Sequence, residues 1–226
     1  MVSGGAGFVG SNLALAFRRE FEDLSVTVLD NLRRRGSELA LGRLDSAGVQ
    51  FHHGDIRNAE DIAEVGAFDL LIECSAEASV HSGYEASPSY LLNTNLVGAI
   101  HCLEAARQCS ADVIFLSTSR VYPIARLREL PLEIKAERFD IPEGESGVGW
   151  SNQGITESFP LAGARSLYGA TKLASALLLT EYNEMYGLRT IVNRCGVLAC
   201  PWQMGQVDQG FVALWAARHF FGGALS

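Results

Sequence analysis

Tyr168 and Lys172 stand four residues apart in a run that reads as a helix, a spacing that puts both side chains on one face. An ammonium beside a phenol favours the phenolate and lowers its pKa from an ordinary value near ~10, so the pair can work as a general base at neutral pH. A solvated helix pair is the plainer reading. Ser117-Thr118-Ser119 follows an apolar run and offers hydroxyls to a reacting oxygen. Asn95 lies on a helical stretch further upstream. It is placed to hold a water or a backbone group near Lys172, or simply to support the fold.

A second chemistry stands near the N-terminus. Gly4, Gly7 and Gly10 repeat at spacing three around Phe8 and Val9. That pattern suits a tight turn, a close backbone approach to a pyrophosphate and an anion on a helix N-terminus. Asp30 closes the next apolar run 20 residues after Gly10. A carboxylate there accepts from both hydroxyls of an adenosine ribose and repels a 2′-phosphate, which points to NAD rather than NADP. The run Arg33-Arg34-Arg35 is the counter-signal, since arginine can hold a 2′-phosphate, but Asp30 is expected nearer the ribose. Asn31 belongs with Asp30 in the expected cofactor set. Asp55-Ile56 is placed to flank the adenine, and Ser75-Ala76-Glu77 to line the nicotinamide half.

These residues need a frame that brings strand ends together. Apolar runs at 26–29, 49–52, 70–74, 113–116 and 190–193 read as strands. Helical patterns cover Phe8–Phe21, Ser37–Ala47, Ala59–Val65, Tyr90–Cys109 and Ser166–Tyr186, with another around Gly210–Phe221. Within the fourth of these, Leu96, Ile100 and Leu103 fall at core spacing. Such alternation predicts an α/β fold: a doubly wound parallel sheet of Rossmann type with helices on both faces. In such sheets ligands sit at the carboxyl ends of the strands. The stretch 123–165 breaks the rhythm, with Pro, Gly, Ser and Glu and no clean period, and reads as a long functional loop or insert.

The 226 residues carry 18 basic and 26 acidic side chains, a net charge of −8, which argues against a nucleic-acid partner. No apolar stretch is long enough to span a membrane and no secretory leader is expected. Five scattered cysteines without a CxxC pair argue against disulfides and zinc and point to the cytoplasm. His52-His53 reads as a strand end, so no metal is expected. Trp202 and Trp215 read as core or interface residues.

Taken in order, Gly-Gly-Ala-Gly-Phe-Val-Gly, Asp30, Asp55-Ile56, Asn95, Ser-Thr-Ser-Arg-Val-Tyr and Tyr168-Gly-Ala-Thr-Lys172 resemble the extended short-chain dehydrogenases/reductases, in the branch of nucleotide-sugar epimerases and dehydratases. Within it, 31–38, 165–169, 193–198 and 201–211 are most similar to the CDP-tyvelose (CDP-paratose) 2-epimerases, as is the long insert. The resemblance implies an NAD-dependent epimerase that oxidises a nucleotide-linked deoxysugar, CDP-linked by preference, to a keto-sugar and reduces it again on the other face. It implies Tyr168 as base, Lys172 on the nicotinamide ribose, Thr118 as the catalytic hydroxyl and Asn95 as the tetrad asparagine. Thr118, Ser119, His81 and Arg194 are the expected sugar contacts, and the two long helices the expected homodimer interface. Dehydratase relatives carry Asp-Glu after the catalytic Thr, where this chain has Ser119-Arg120. A sugar reductase, or a domain that binds the dinucleotide without turnover, would also fit these motifs.

Three departures qualify the resemblance. Only Met1-Val2-Ser3 precede the glycine turn, so the central strand is expected to leave its neighbours few ladder partners. Cys200 stands where relatives have glycine, at a cost of about 1 kcal/mol if the position needs a left-handed backbone. Relatives continue beyond Ser226. The expectation is therefore one Rossmann domain over 1–226 with an insert at about 123–165, a substrate lobe that starts near 197 and is largely missing, and weak turnover.

Overall fold

Five apolar runs become parallel strands; those at 27–30, 70–73 and 112–118 are buried within the sheet, while the runs at 50–53 and 190–195 form its half-exposed edges. The computed structural model describes residues 1–78, 87–204 and 210–224. In chain order the main elements are β1 (Val2–Ser3), α1 (Phe8–Glu20), β2 (Thr27–Asp30), α2 (Leu41–Ser46), β3 (Gln50–His53), α3 (Ala59–Ala63), β4 (Leu70–Glu73), α4 (Ser89–Leu92), α5 (Gly98–Cys109) and β5 (Asp112–Thr118). Then follow α6 (Ile124–Arg128), β6 (Glu133–Ile134), β7 (Phe139–Asp140), β8 (Ser146–Gly147), β9 (Trp150–Ser151), β10 (Gly154–Ile155), α7 (Leu167–Tyr186), β11 (Thr190–Cys195) and α8 (Phe211–Phe220).

The main sheet has six strands in the order β11-β5-β4-β1-β2-β3, and every pairing in it is parallel. The winding direction reverses at β1, between β2 and β4, which opens a crevice at the carboxyl ends of these strands. One apolar layer gathers Val28, Leu44, Val49 and Ile72 with Ala14 of α1. The opposite layer gathers Leu71, Val113 and Phe115 with Cys102, Leu103 and Leu179 of α5 and α7. This is the expected doubly wound sheet.

Local differences have local causes. β1 is only two residues long, yet Met1 extends its ladder: its carbonyl accepts from the Ile72 amide at 2.9 Å and its ammonium donates to the Leu70 carbonyl at 2.7 Å. Burial lowers that ammonium's pKa to about 6. The helix expected over Tyr90–Cys109 holds α4 and α5 joined by a wider π turn at Asn93–Val97. That turn resets the helical face. Ile100 is exposed and the buried line runs through Asn95, Ala99, Cys102 and Ala106.

The stretch 123–165 is not a bare loop. It folds as α6, the hairpin β6–β7 and the antiparallel trio β8–β9–β10. Phe159 packs edge-on to Tyr122, with centroids 5.5 Å apart, in a small core beside Trp150 and Leu173. Two-residue strands are too short to leave an alternating signal in the sequence. Among the described residues no helix is long and apolar enough to cross a membrane.

Candidate active site

The glycine turn joins β1 to α1. Gly10 lies where a Cβ would overlap the Gly4 carbonyl oxygen, so only glycine lets the first turn of α1 fold back onto the loop. The Gly7 amide donates to the Gly4 carbonyl at 3.1 Å, and Phe8 and Val9 then open a 13-residue helix whose first N–H groups have no partner within the helix. Asp30 ends β2 with both oxygens engaged: Oδ2 accepts from the Ala6 amide at 3.0 Å and Oδ1 from the Leu32 amide at 2.8 Å. The second bond holds Leu32 in the left-handed region, at φ 51°. Burial pushes the Asp30 pKa up, opposed by these amides.

Asp30 lines a cavity of about 380 Å³ with Gly4, Gly7, Asn31, Asp55, Ile56, Ser75, Ala76 and Glu77. The Asp55 carboxylate accepts from Arg57 Nη2 at 2.6 Å and from Asn31 Nδ2 at 2.8 Å. The Arg57 bonds hold its pKa down at about 2. Tyr90 closes this end; the Arg33 and Arg57 guanidiniums lie 4.0 and 4.7 Å from its ring centroid. Neither arginine was singled out from sequence for this stack, which joins three separate segments.

A second cavity, about 290 Å³, shares Cys74 and Ala76 with the first. Thr118, Tyr168 and Lys172 all line it, beside Phe8 and Val9. Ser166 caps α7 by accepting from the Gly169 amide at 3.2 Å. A Cβ on Gly169 would overlap the Arg120 carbonyl oxygen. The glycine between Tyr168 and Lys172 is thus what lets α7 press against the turn that follows β5. Thr118 is buried at the end of β5 and its Oγ1 accepts from the Arg120 amide at 3.2 Å. Lys172 is buried; its Nζ donates to Glu73 Oε2 at 3.2 Å and lies 4.4 Å from the Phe115 ring centroid. Ser117 Oγ and Gln203 Oε1, both on this wall, are buried without a partner in the chain.

Other expected residues fall elsewhere. Asn95 makes no hydrogen bond with Lys172 but does hold a backbone group. Its amide clamps the Glu77 backbone at 2.8 and 2.9 Å, and its carbonyl accepts from Ser175 Oγ at 3.1 Å. It therefore fixes the loop after β4 and ties it to α7. Ser119 does not line the reaction cavity. Nor does Arg194: neighbours on a strand face opposite sides, so Cys195 meets the cavity while Arg194 Nη1 donates to the Tyr122 hydroxyl at 3.3 Å and the Glu157 carbonyl at 3.1 Å, holding the insert. His81 lies outside the described residues.

Sequence reasoning missed Glu73, Arg120 and Gln203. A carboxylate closing the apolar run Leu70-Leu71-Ile72 was the available signal for Glu73; the other two are brought in by the turn after β5 and by the segment after β11. That segment crosses α1, where Asn12 Nδ2 donates to the Pro201 carbonyl at 3.0 Å. Cys200 does not take the left-handed backbone; Trp202 does, at φ 71°. Trp202 is half exposed over Arg43, 4.2 Å from guanidinium to centroid, and Trp215 is half exposed against Phe211, so neither is a core residue.

This arrangement belongs to a known class. A family model described as the NAD dependent epimerase/dehydratase family matches residues 1–220, and the chain belongs to that family. It is 31% identical over 204 residues to dTDP-glucose 4,6-dehydratase of Mycobacterium tuberculosis, covering 90% of this chain and 54% of that protein. It is 30% identical over 222 residues to CDP-paratose 2-epimerase of Salmonella typhi, covering 94% of this chain and 61% of that protein. Among solved structures it is similar to DesIV, a dTDP-glucose 4,6-dehydratase from Streptomyces venezuelae with NAD bound, at TM-score 0.76 and 29% identity over 99% of this chain and 62% of that one. The chain thus spans little more than half the length of these relatives.

Proposed function

We propose that this chain supplies the NAD site and the acid–base residues of a nucleotide-sugar epimerase of the CDP-paratose 2-epimerase type. The donor set suits a dinucleotide. The cavity holding Asp30 suits an adenosine, the α1 N-terminus a pyrophosphate, and the adjoining cavity a nicotinamide. When bound, the nicotinamide accepts a hydride from a carbinol carbon and returns it. Tyr168 takes the hydroxyl proton from the sugar and gives it back, Thr118 orients the sugar oxygen, and Lys172 holds the nicotinamide ribose. Ser119, outside the described cavity wall, is a proposed sugar contact, and His81, which lies outside the described residues, is another.

One observation carries the epimerase over the dehydratase. No carboxylate stands among the described residues lining the reaction cavity, where Ser119-Arg120 follow Thr118. Elimination of water needs an acid and a base beside the tyrosine; inversion through a keto-sugar does not. We read the segment from about 197 as the start of a substrate lobe. Exposed Val97 and Ile100, with Leu177 and Met185 on α7, support a homodimer through the two long helices.

The test is to purify the protein, denature it and assay the supernatant for NAD, then to incubate the protein with CDP-paratose. Co-purified NAD and conversion to CDP-tyvelose are expected. A 4-keto-6-deoxy product from a dTDP- or CDP-hexose would instead make it a dehydratase, and NADPH-dependent turnover a reductase.

A further inference from the structure

Glu73 is a buried acid that the reaction described above does not use. It ends β4, behind the wall of the reaction cavity, and does not line that cavity, whereas its partner Lys172 does. Their side chains are 3% and 2% exposed and meet at 3.2 Å. An ammonium taken so far out of water sheds its proton unless a counter-ion faces it. Around the pair stand Cys74 just after β4, Cys102 on α5, Cys195 on β11 and Tyr168 on α7. Burial pushes the Cys74 and Cys102 thiols up, so neither supplies a negative charge at neutral pH. No second carboxylate pairs with Lys172 among the described residues. The Phe115 ring face, 4.4 Å away, adds attraction for a cation but no charge.

A packing residue at position 73 would avoid a further cost that this one carries: Oε1 is buried and has no hydrogen-bond partner in the chain. We propose that Glu73 is a positioning residue of the active site, whose carboxylate keeps the Lys172 side chain charged and fixed at the cavity wall, ready for the hydroxyls of a dinucleotide ribose. The proposal rests on the dinucleotide reading of the cavity given above. It adds a group that acts through Lys172 and touches neither cofactor nor substrate.

The chain has only two lysines, Lys135 and Lys172, so ¹³C-lysine labelling gives two resolvable Cε signals in NMR. In Glu73→Gln the Lys172 signal is expected to titrate about three pH units lower than in the unchanged chain, with the Lys135 signal as internal reference. NAD affinity, read by calorimetry, is expected to fall at least about fivefold in Glu73→Gln at pH 8.5 and to recover at pH 6.5, while Glu73→Asp keeps it within about twofold. A folded Glu73→Gln protein whose Lys172 titration is unmoved while NAD still binds overturns the role of Glu73 alone. Failure of the unchanged chain to bind NAD overturns the reading of the cavity and, with it, this proposal. Should Glu73→Gln not fold, Glu73→Asp decides: its shorter carboxylate must also lower the Lys172 titration, by less, and an unmoved signal sinks the idea.

Discussion

The two ends of the crevice are built differently. At the Asp30 end nearly all the polar groups satisfy one another: Asp30 holds the Ala6 and Leu32 amides, Asp55 holds Arg57 and Asn31, and the Thr94 hydroxyl alone is buried and unpartnered among the described lining residues. At the Tyr168 end more polar atoms are left over, with Ser117 Oγ and Gln203 Oε1 both on the cavity wall, buried and unpartnered within the chain. The first end is a pre-set mould; bonds between the glycine loop and the turns after β2 and β3 hold it before any ligand arrives. The second is assembled from β4, β5, α7 and the segments after β11, and it keeps hydrogen-bonding capacity for a ligand that must react and turn. The comparison teaches that binding and chemistry fail by different routes in one groove.

The largest expected effect breaks chemistry alone. Tyr168→Phe should lower turnover of the nucleotide sugar by about 10²–10⁴-fold, the usual worth of a general base, while NAD affinity from calorimetry stays within about threefold. Loss of NAD binding in that variant would mean that the phenol belongs to the mould. Next, Lys172→Met strands a buried carboxylate and should cost about 3–5 kcal/mol in urea unfolding, with much of that recovered in Glu73→Gln/Lys172→Met.

Two glycines sharpen the contrast further. Gly10→Ala and Gly169→Ala each place a methyl into a carbonyl oxygen and should each cost roughly 1–3 kcal/mol of stability. Only Gly10→Ala should abolish NAD binding; Gly169→Ala should leave it and suppress turnover by displacing Tyr168 from Thr118. At the adenosine end, Asp30→Asn should weaken NAD by roughly tenfold and narrow its advantage over NADP, because a charge that repels a 2′-phosphate is gone.

The smallest effect is a titration. Asp55 loses its proton at about 2 beside Arg57. A carboxyl held below its unfolded value stabilises the fold above that unfolded value, and the gain is lost as pH falls through 2. Arg57→Ala should therefore return the Asp55 carboxyl toward its usual 3.8 in ¹³C NMR and flatten the acid limb of stability. An unchanged midpoint would separate the arginine from the carboxylate.

Much of the frame was legible because it is periodic and local. The five sequence runs became β2, β3, β4, β5 and β11, and the spacing of Gly4, Gly7 and Gly10 with Asp30 located the mould. Tyr168, Lys172 and Thr118 were legible as a set and do line one cavity. What was illegible depended on distance in space or on very short elements. Asn95 was read as holding a water or a backbone group near Lys172, or as supporting the fold; that the group is Glu77, 18 residues upstream, was decided by tertiary contact. Arg194 looked like a sugar contact but faces away from the cavity, since strand alternation gives that side to Cys195. The stretch 123–165 hid its hairpins because pairs of two residues carry no period.

By itself the sequence determined the α/β class, the glycine turn, the acidic end of β2 and the one-turn spacing of phenol and ammonium. Each of these follows from residue type and near-neighbour geometry, which the chain carries wherever it goes. The tertiary structure alone decided that Glu73 would face Lys172 across 99 residues, that Gly169 would lie against Arg120, and that the segment after β11 would wall the reaction cavity. Those contacts depend on the order and twist of six strands, which bring distant residues to one edge and take them out of water, and no local pattern encodes that removal.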